Sequence, residues 1–366
     1  MKKLSATDRQ LRFFAYICAR MKRVRPKKNL GQHFLTDLSI ARAIADTVDA
    51  CPSLPVLEVG PGMGVMTQFL LPKPRTIAVV EIDRESVAYL KTHFPNFKQK
   101  EQNTQTEQIE QNNKTEVTEE HIFKTKVTEV TEEGQTSSSE SSLSPAARPA
   151  PEQEVSPSAP KQDLCSSVTS VLNPPPAVSY RSLLFEGDFL RMDLRKLFDG
   201  RPFVLTGNYP YDISSQIFFK MLDNRDLIPC CTGMIQREVA LRIASQPGTK
   251  AYGILSVLIQ AWYDVEYLFT VDEHVFNPPP KVKSAVIRMT RNAVDHLDCD
   301  ERLFRRVVKT VFNQRRKMLR VSLRPLLSAD CPPSFFEHPM MTRRPEQLPV
   351  ADFVTLTNLV EPYVQV

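Results

Sequence analysis

A short apolar run ending in a cluster of glycines constrains this chain more than any other feature. Val56-Leu57-Glu58-Val59-Gly60 is followed by Pro61-Gly62-Met63-Gly64 and then by Met66, Phe69 and Leu70 at helical spacing. That order predicts a strand, a tight turn and a helix. Glycines in such a turn let the main chain approach a ligand closely, at the carboxyl edge where open α/β sheets bind theirs. The nicotinamide pattern G-x-G-x-x-G is not met, because Val65 stands where its third glycine belongs; the text is E-x-G-x-G-x-G. A second predicted strand, Thr76-Ile77-Ala78-Val79-Val80, ends at Glu81, 21 positions after Gly60. A carboxylate there can accept hydrogen bonds from both hydroxyls of a ribose. A third strand, Ser182 to Glu186, leads into Gly187-Asp188, whose carboxylate suits the amino group of an adenine.

A fourth strand, Pro202 to Thr206, runs into Gly207-Asn208-Tyr209-Pro210-Tyr211. The exocyclic amine of adenine is a poor nucleophile, since its lone pair is delocalised into the ring. Two acceptors on its hydrogens, the Asn208 side-chain oxygen and a main-chain carbonyl held by Pro210, draw it toward tetrahedral geometry and aim the lone pair at an electrophilic methyl group. Tyr211 can stack on a base that has left its helix, replacing part of the stacking lost. Methylation at a pyrimidine carbon would instead call for a cysteine thiolate.

From about Gln99 to Tyr180 the composition turns to Glu, Gln, Thr, Ser and Pro, including Pro174-Pro175-Pro176, and the segment is expected to be a disordered insertion because it offers little apolar surface to bury. It also conceals the charge of the remainder. Residues 99–180 carry 6 Lys+Arg against 13 Asp+Glu, so of a total near +5 the rest of the chain holds about +12. A body that basic suits a polyanionic partner, with Arg315-Arg316-Lys317 as candidate phosphate contacts. No apolar run approaches the ~18 residues that a membrane crossing needs. The seven cysteines show neither C-x-x-C nor paired Cys/His spacing, so no metal is expected and the thiols read as reduced and cytosolic. The basic first 20 residues are too weakly organised for a secretory signal, and Met21 is an alternative start.

Together these segments resemble the ribosomal RNA adenine dimethyltransferase family, in particular the bacterial small-subunit enzymes. The resemblance covers nearly all of residues 25–98 and 181–325. It is carried by Asn29-Leu30-Gly31-Gln32-His33-Phe34-Leu35, Glu58 to Gly64, Glu81-Ile82-Asp83, Gly187-Asp188, Asn208 to Tyr211, Phe276-Asn277-Pro278-Pro279-Pro280-Lys281-Val282 and Phe312-Asn313-Gln314-Arg315-Arg316-Lys317. It implies S-adenosylmethionine as methyl donor. Gln32, His33 and Leu35 would close over its methionine end, Gly60, Gly62 and Glu81 would hold its amino-acid and ribose parts, and Asp188 its adenine. Asn208 would stand between cofactor and target, with Phe276 as a second aromatic wall opposite Tyr211. The reaction implied is dimethylation of two adjacent adenines near the 3′ end of 16S RNA, on small-subunit RNA or an immature small subunit; a cytoplasmic location follows from the cysteine reading, and a monomer is the default expectation.

The fold implied is a seven-stranded, mostly parallel Rossmann-like methyltransferase sheet over 25–98 and 181–295, its last strands near Leu268 to Val271 and Ser284 to Met289. A basic extension (1–24) precedes it. A small all-helical domain over 296–366 follows, signalled by Phe304, Val307, Val308, Val311 and Phe312, with Arg315, Arg316, Lys317 and Arg320 expected on RNA backbone. The other use of those arginines is to tie the two parts together. Tyr209 and Asp212 replace a leucine and an asparagine common in the family, and the insertion departs from the usual pattern. The alternatives are a large-subunit adenine methyltransferase of the antibiotic-resistance type and an RNA-binding assembly factor with secondary activity.

Overall fold

The computed structural model of the protein describes residues 24, 26, 27, 30–99 and 181–364. The expectations for the amino-terminal extension and for the insertion lie outside the described residues. Ten strands are described: β1 (Phe34–Leu35), β2 (Val56–Val59), β3 (Ile77–Glu81), β4 (Lys98–Gln99), β5 (Ser182–Glu186), β6 (Val204–Asn208), β7 (Cys230–Gln236), β8 (Tyr263–Val271), β9 (Phe276–Asn277) and β10 (Ser284–Arg291). The main sheet has the order β4-β5-β3-β2-β6-β7-β10-β8, and β1 pairs separately with β9. Neighbours from β4 to β7 run parallel, while β10 is antiparallel to both β7 and β8. The seven strands expected are thus joined at one edge by the two-residue β4.

Every residue of β2 and β3 is buried, as parallel strands covered on both faces require, and that is why they read as mostly apolar runs, broken only by Glu58 within β2 and Glu81 at the end of β3. The helices α1 (Leu38–Asp46), α2 (Thr67–Leu70) and α3 (Arg84–His93) follow or precede them in the chain. Ala41, Ile44, Met66, Val87 and Leu90 from this stretch pack with Val56, Val79 and Val204 in one apolar cluster. A second cluster joins Leu57, Val80 and Leu205 to α4 (Ser214–Asp223), α5 (Arg237–Ile243) and α6 (Ile254–Gln260).

Further on, α7 (Glu301–Asn313) is capped by Asp300, whose carboxylate accepts from the Leu303 amide at 2.6 Å. It buries Phe304, Val307, Val308, Val311 and Phe312, the positions read from the sequence. Together with α8 (Leu319–Ser322) and α9 (Val350–Val360), it packs in the same cluster as the sheet residues. Phe304 meets Trp262 edge-on with centroids 6.0 Å apart, and Phe312 stacks on Phe353 at 5.9 Å. The helical segment proposed as a domain over 296–366 therefore shares a continuous core with the residues before it. Among the described residues no helix is long and apolar enough to cross a membrane.

Among the strands longer than two residues, the one that the sequence does not announce is β7, Cys-Cys-Thr-Gly-Met-Ile-Gln, where Thr232 and Gly233 interrupt the apolar run. Packing explains the glycine. Gly233 adopts φ +150° in register with Gly207 of β6, and a Cβ at Gly233 would lie 2.3 Å from the Gly207 carbonyl oxygen and 2.7 Å from the Tyr209 ring. The space that two side chains would fill is taken by Tyr209, which is 1% exposed. Its amide donates to the Met234 carbonyl and its hydroxyl to the Thr232 carbonyl, both at 3.0 Å. The residue between Asn208 and Pro210 is in this way fastened to β7 by main chain and side chain.

Two substitutions test the interior of the sheet. Gly233→Ala sets a carbon against main chain that cannot swing away, so it should lower unfolding stability by about 3 kcal/mol or more, read from denaturant midpoints. The second concerns Glu58, a fully buried carboxyl on β2. Burial pushes its pKa up to about 8, against the hydrogen bond that the Thr67 hydroxyl donates at 2.7 Å and with help from the nearby Glu81 charge. Between the ordinary value of 4.5 and about 8 the folded protein keeps a proton that the unfolded chain has released, so stability falls as pH rises through that window. Glu58→Gln does not titrate. Its stability relative to wild type should rise from pH 5 to 8, by up to about 1.4 kcal/mol per pH unit, and a pH-independent difference in urea unfolding would refute the assignment.

Candidate active site

A cavity of about 240 Å³ opens at the carboxyl ends of β2, β3 and β6. It is lined by Gly60 and Gly62 after β2, Glu81 and Ile82 at β3, Gly187 and Asp188 after β5, and Asn208 to Ile213 after β6. Gln32, His33 and Leu35 close another side. The structure thus brings together each residue expected around the cofactor. Gly62 has φ +56°, and a Cβ there would sit 3.0 Å from the Phe34 ring, so the turn fits beneath the 30–35 segment only as glycine. At Gly60 an added Cβ would meet nothing within 4 Å, which marks open space for a ligand against the main chain.

Glu81 is 3% exposed, and its two oxygens accept from the Gly62 amide at 2.9 Å and the Asp83 amide at 2.8 Å. Burial raises its pKa, the two amide bonds opposing the shift. Each oxygen keeps a second lone pair for a ligand hydroxyl. The Asp188 carboxylate accepts from the Leu190 amide at 2.8 Å, which orients it on the opposite wall. Ile82, 52% exposed, offers the cavity an apolar surface between them.

Sequence reasoning missed what holds Lys27 and residues 30–35 over this cavity. The Lys27 ammonium lies 2.5 Å from the Asp83 carboxylate, with Glu85 at 3.5 Å, and the Gln32 side-chain oxygen accepts from the Lys27 amide at 3.0 Å. Burial alone would push the Asp83 carboxyl up, but Lys27, Ser86 and the Glu85 amide hold it below its ordinary value. At the far end β1 pairs with β9, matching Leu35 to Phe276, and the His33 Nδ1 donates to the Pro278 carbonyl at 2.9 Å. The only sequence signal for the Lys27 tie is the alternation of a basic run with the acids after β3, which names no pair.

The Asn208 Nδ2 donates to the His33 carbonyl at 3.2 Å. A carbonyl accepts only, so this contact fixes the amide's orientation and leaves Oδ1 as a free acceptor. The Tyr211 hydroxyl bonds to the Ser284 Oγ at 2.5 Å, and its ring stacks on His33 with centroids 5.5 Å apart. A second cavity of about 500 Å³ shares Gly31, Gln32, His33, Tyr211 and Asp212 with the first and continues to Gln236, Asn277 and Pro278. Phe276 differs from expectation. It is 4% exposed, packs in the same apolar cluster as Leu35 and lines neither cavity, so the ring facing Tyr211 is His33. Strand pairing accounts for the difference, because the Leu35–Phe276 register turns that aromatic into the core.

The four basic residues assigned to RNA line neither cavity. Arg315 donates to the Thr249 carbonyl at 3.1 Å, and burial lowers its pKa. It acts as a tie between the end of α7 and the loop after α5. Arg316, Lys317 and Arg320 are exposed. Asp212, on the rim common to both cavities, was noted in the sequence only as a departure. Among the described residues no group of three or more His, Cys, Asp or Glu is arranged to hold a metal ion.

Comparison with known proteins agrees with this geometry. A family model described as ribosomal RNA adenine dimethylase matches residues 23–143 and 161–361. The ribosomal RNA small subunit methyltransferase A of Bacteroides thetaiotaomicron is 53% identical over 341 residues, 93% of this chain and 96% of that protein. The protein of the same name from Porphyromonas gingivalis is 45% identical, covering 93% and 100%. A crystal structure of a dimethyladenosine transferase from Plasmodium falciparum superposes with a TM-score of 0.56 at 20% identity, over 88% of this chain and 96% of that one, which supports the fold. With the glycine turn, the β3 carboxylate and the Asn208–Tyr211 turn gathered around one cavity, this chain belongs to the ribosomal RNA adenine dimethylase family.

Proposed function

We propose that the protein transfers methyl groups from S-adenosylmethionine to the exocyclic amines of two adjacent adenines near the 3′ end of small-subunit ribosomal RNA. Its substrate is that RNA or an immature small subunit, and it works as a cytoplasmic monomer. The observation that carries the reading is the position of the Asn208–Tyr211 turn. Asn208 faces the inner cavity with Oδ1 free, and Tyr211 borders both cavities. The inner cavity takes the cofactor, the outer one admits the base, and the amine meets the methyl group where they join.

The residues fit the cofactor by their donor set. Glu81 suits the ribose hydroxyls, Asp188 the adenine amino group, and the open space at Gly60 the amino-acid end under Gln32, His33 and Leu35. When bound, S-adenosylmethionine supplies a methyl group on a cationic sulfur. Asn208 Oδ1 and a main-chain carbonyl held by Pro210 accept the two amine hydrogens and turn the nitrogen lone pair toward that methyl. Tyr211, held by Ser284, gives the base a fixed face to stack on. The nitrogen so aimed would take the methyl group that the cofactor supplies, and the cationic amine would then lose its proton to solvent. A second transfer repeats the step on the methylated amine. Phe276 supports the site from behind, packed in the core with Leu35.

Labelled methyl from S-adenosylmethionine should appear as dimethyladenosine in unmodified small-subunit particles and not in large-subunit RNA. Asn208→Ala should lower the rate at least about 100-fold, the usual cost of losing one group aimed at the transition state. Label confined to large-subunit RNA would establish the resistance-type activity instead, and binding without transfer would establish an assembly factor.

A further inference from the structure

The outer cavity has two neutral walls that each lead directly to an exposed cation. On one side Gln236 ends β7, and the next residue is Arg237, which is exposed and makes no ion pair among the described residues. On the other, Pro278 is followed within the same turn by Lys281, also exposed and without an ion pair among the described residues. The two walls are joined, since the Arg237 amide donates to the Lys283 carbonyl at 2.9 Å and Gln236 pairs with Ser284. Lys283 itself is committed to Asp272 at 2.5 Å. Among the described cations beside these two walls, Arg237 and Lys281 remain available.

We infer that Arg237 and Lys281 form a phosphate clamp at the mouth of the outer cavity, gripping the RNA backbone on either side of the nucleotide whose base enters it. The inference rests on the function proposed above and adds to it the residues that hold the flipped nucleotide in place. A nucleotide turned out of its helix exposes both flanking phosphates at the entrance, and an arginine and a lysine there supply the charge and donors to meet them. From the clamp, α5 runs for seven residues, about 10 Å or the rise of roughly three stacked nucleotides. It brings Arg242 within electrostatic reach of Arg315, beside the exposed Arg316 and Lys317. The clamp and the carboxyl end of α7 thus mark two stations on one RNA path, with α5 as the spacer.

The test is the salt dependence of binding to unmodified small-subunit particles by wild type, Arg237→Ala, Lys281→Ala and the double variant. Arg302→Ala serves as a charge-matched control; that residue is exposed at the amino end of α7, about 16 Å along the helix from its carboxyl end at Asn313. Each single variant should reduce the slope of log K against log salt by about 0.7 to 0.9, and the double variant by roughly twice that. KM for the particle should rise about tenfold or more in the double variant, while kcat at saturation and the affinity for S-adenosylmethionine stay at wild-type values. Slopes and KM equal to those of wild type, or a loss no larger than that of Arg302→Ala, would overturn the clamp. The binding slopes need no methyl transfer. Wild type that labels small-subunit particles while the double variant binds normally therefore sinks the clamp alone, whereas wild type that labels no small-subunit RNA sinks the proposed function.

Discussion

The buried carboxylate of Glu81 is the contact on which the cavity depends. At the carboxyl end of β3, it accepts the amide of Gly62 from the turn after β2 and the amide of Asp83 from the turn after β3. One side chain thereby sets the separation of two loops that arise from different strands. Asp83, positioned by that bond, caps α3 and holds the Lys27 ammonium, and the Lys27 amide in turn reaches the Gln32 side chain. The roof of the cavity is thus linked to its floor through a relay that begins at one anion. A buried carboxylate with so few donors is costly unless something compensates for it. Here two amides do so only in part, which is why burial still raises its pKa.

A comparable constraint acts at the other strand end. The reactive turn after β6 is shaped by Tyr209, whose ring needs the side-chain-free surface of Gly207 and Gly233 and whose hydroxyl closes on β7. Asn208 and Tyr211 flank that anchored residue and are themselves bonded to His33 and Ser284, from two further points in the chain. Orientation in the turn is therefore set before any ligand arrives, which favours chemistry that depends on aiming a lone pair rather than on a strong base.

Much of this was legible in the sequence, and the exceptions have physical causes. β2 and β3 read clearly because strands buried on both faces are apolar at nearly every position, and α7 because its buried positions recur at helical spacing. β7 was silent because its glycine and threonine serve a neighbouring strand's side chain, and local text carries no trace of that. Phe276, which the resemblance implied as a second aromatic wall, lies in the core for a related reason, since an aromatic before Asn-Pro reads alike whether its ring meets a ligand or the core, and only the pairing with Leu35 decides. The Lys27–Asp83 tie joins residues 56 positions apart within ordinary charged text. In the basic cluster, sequence could not separate Arg315, spent on a carbonyl, from its exposed neighbours.

The edge strand β4 has a consequence for how this chain tolerates growth. It lies beside β5 at the rim of the sheet, with Lys98 opposite Leu183, and 82 positions (100–181) separate its end from the start of β5. The chain rejoins the sheet at the amino end of β5, away from the carboxyl edge where the cavity opens. Closing a loop costs only about 0.6 kcal/mol for each doubling of its length, so trimming this connection to about twenty residues, enough for the crossover that parallel β4 and β5 need, would change the closure term by roughly 1.2 kcal/mol. The junction is in effect a splice point, at which sequence can be gained, shed or exchanged for a reporter while the residues that meet cofactor and base keep their places.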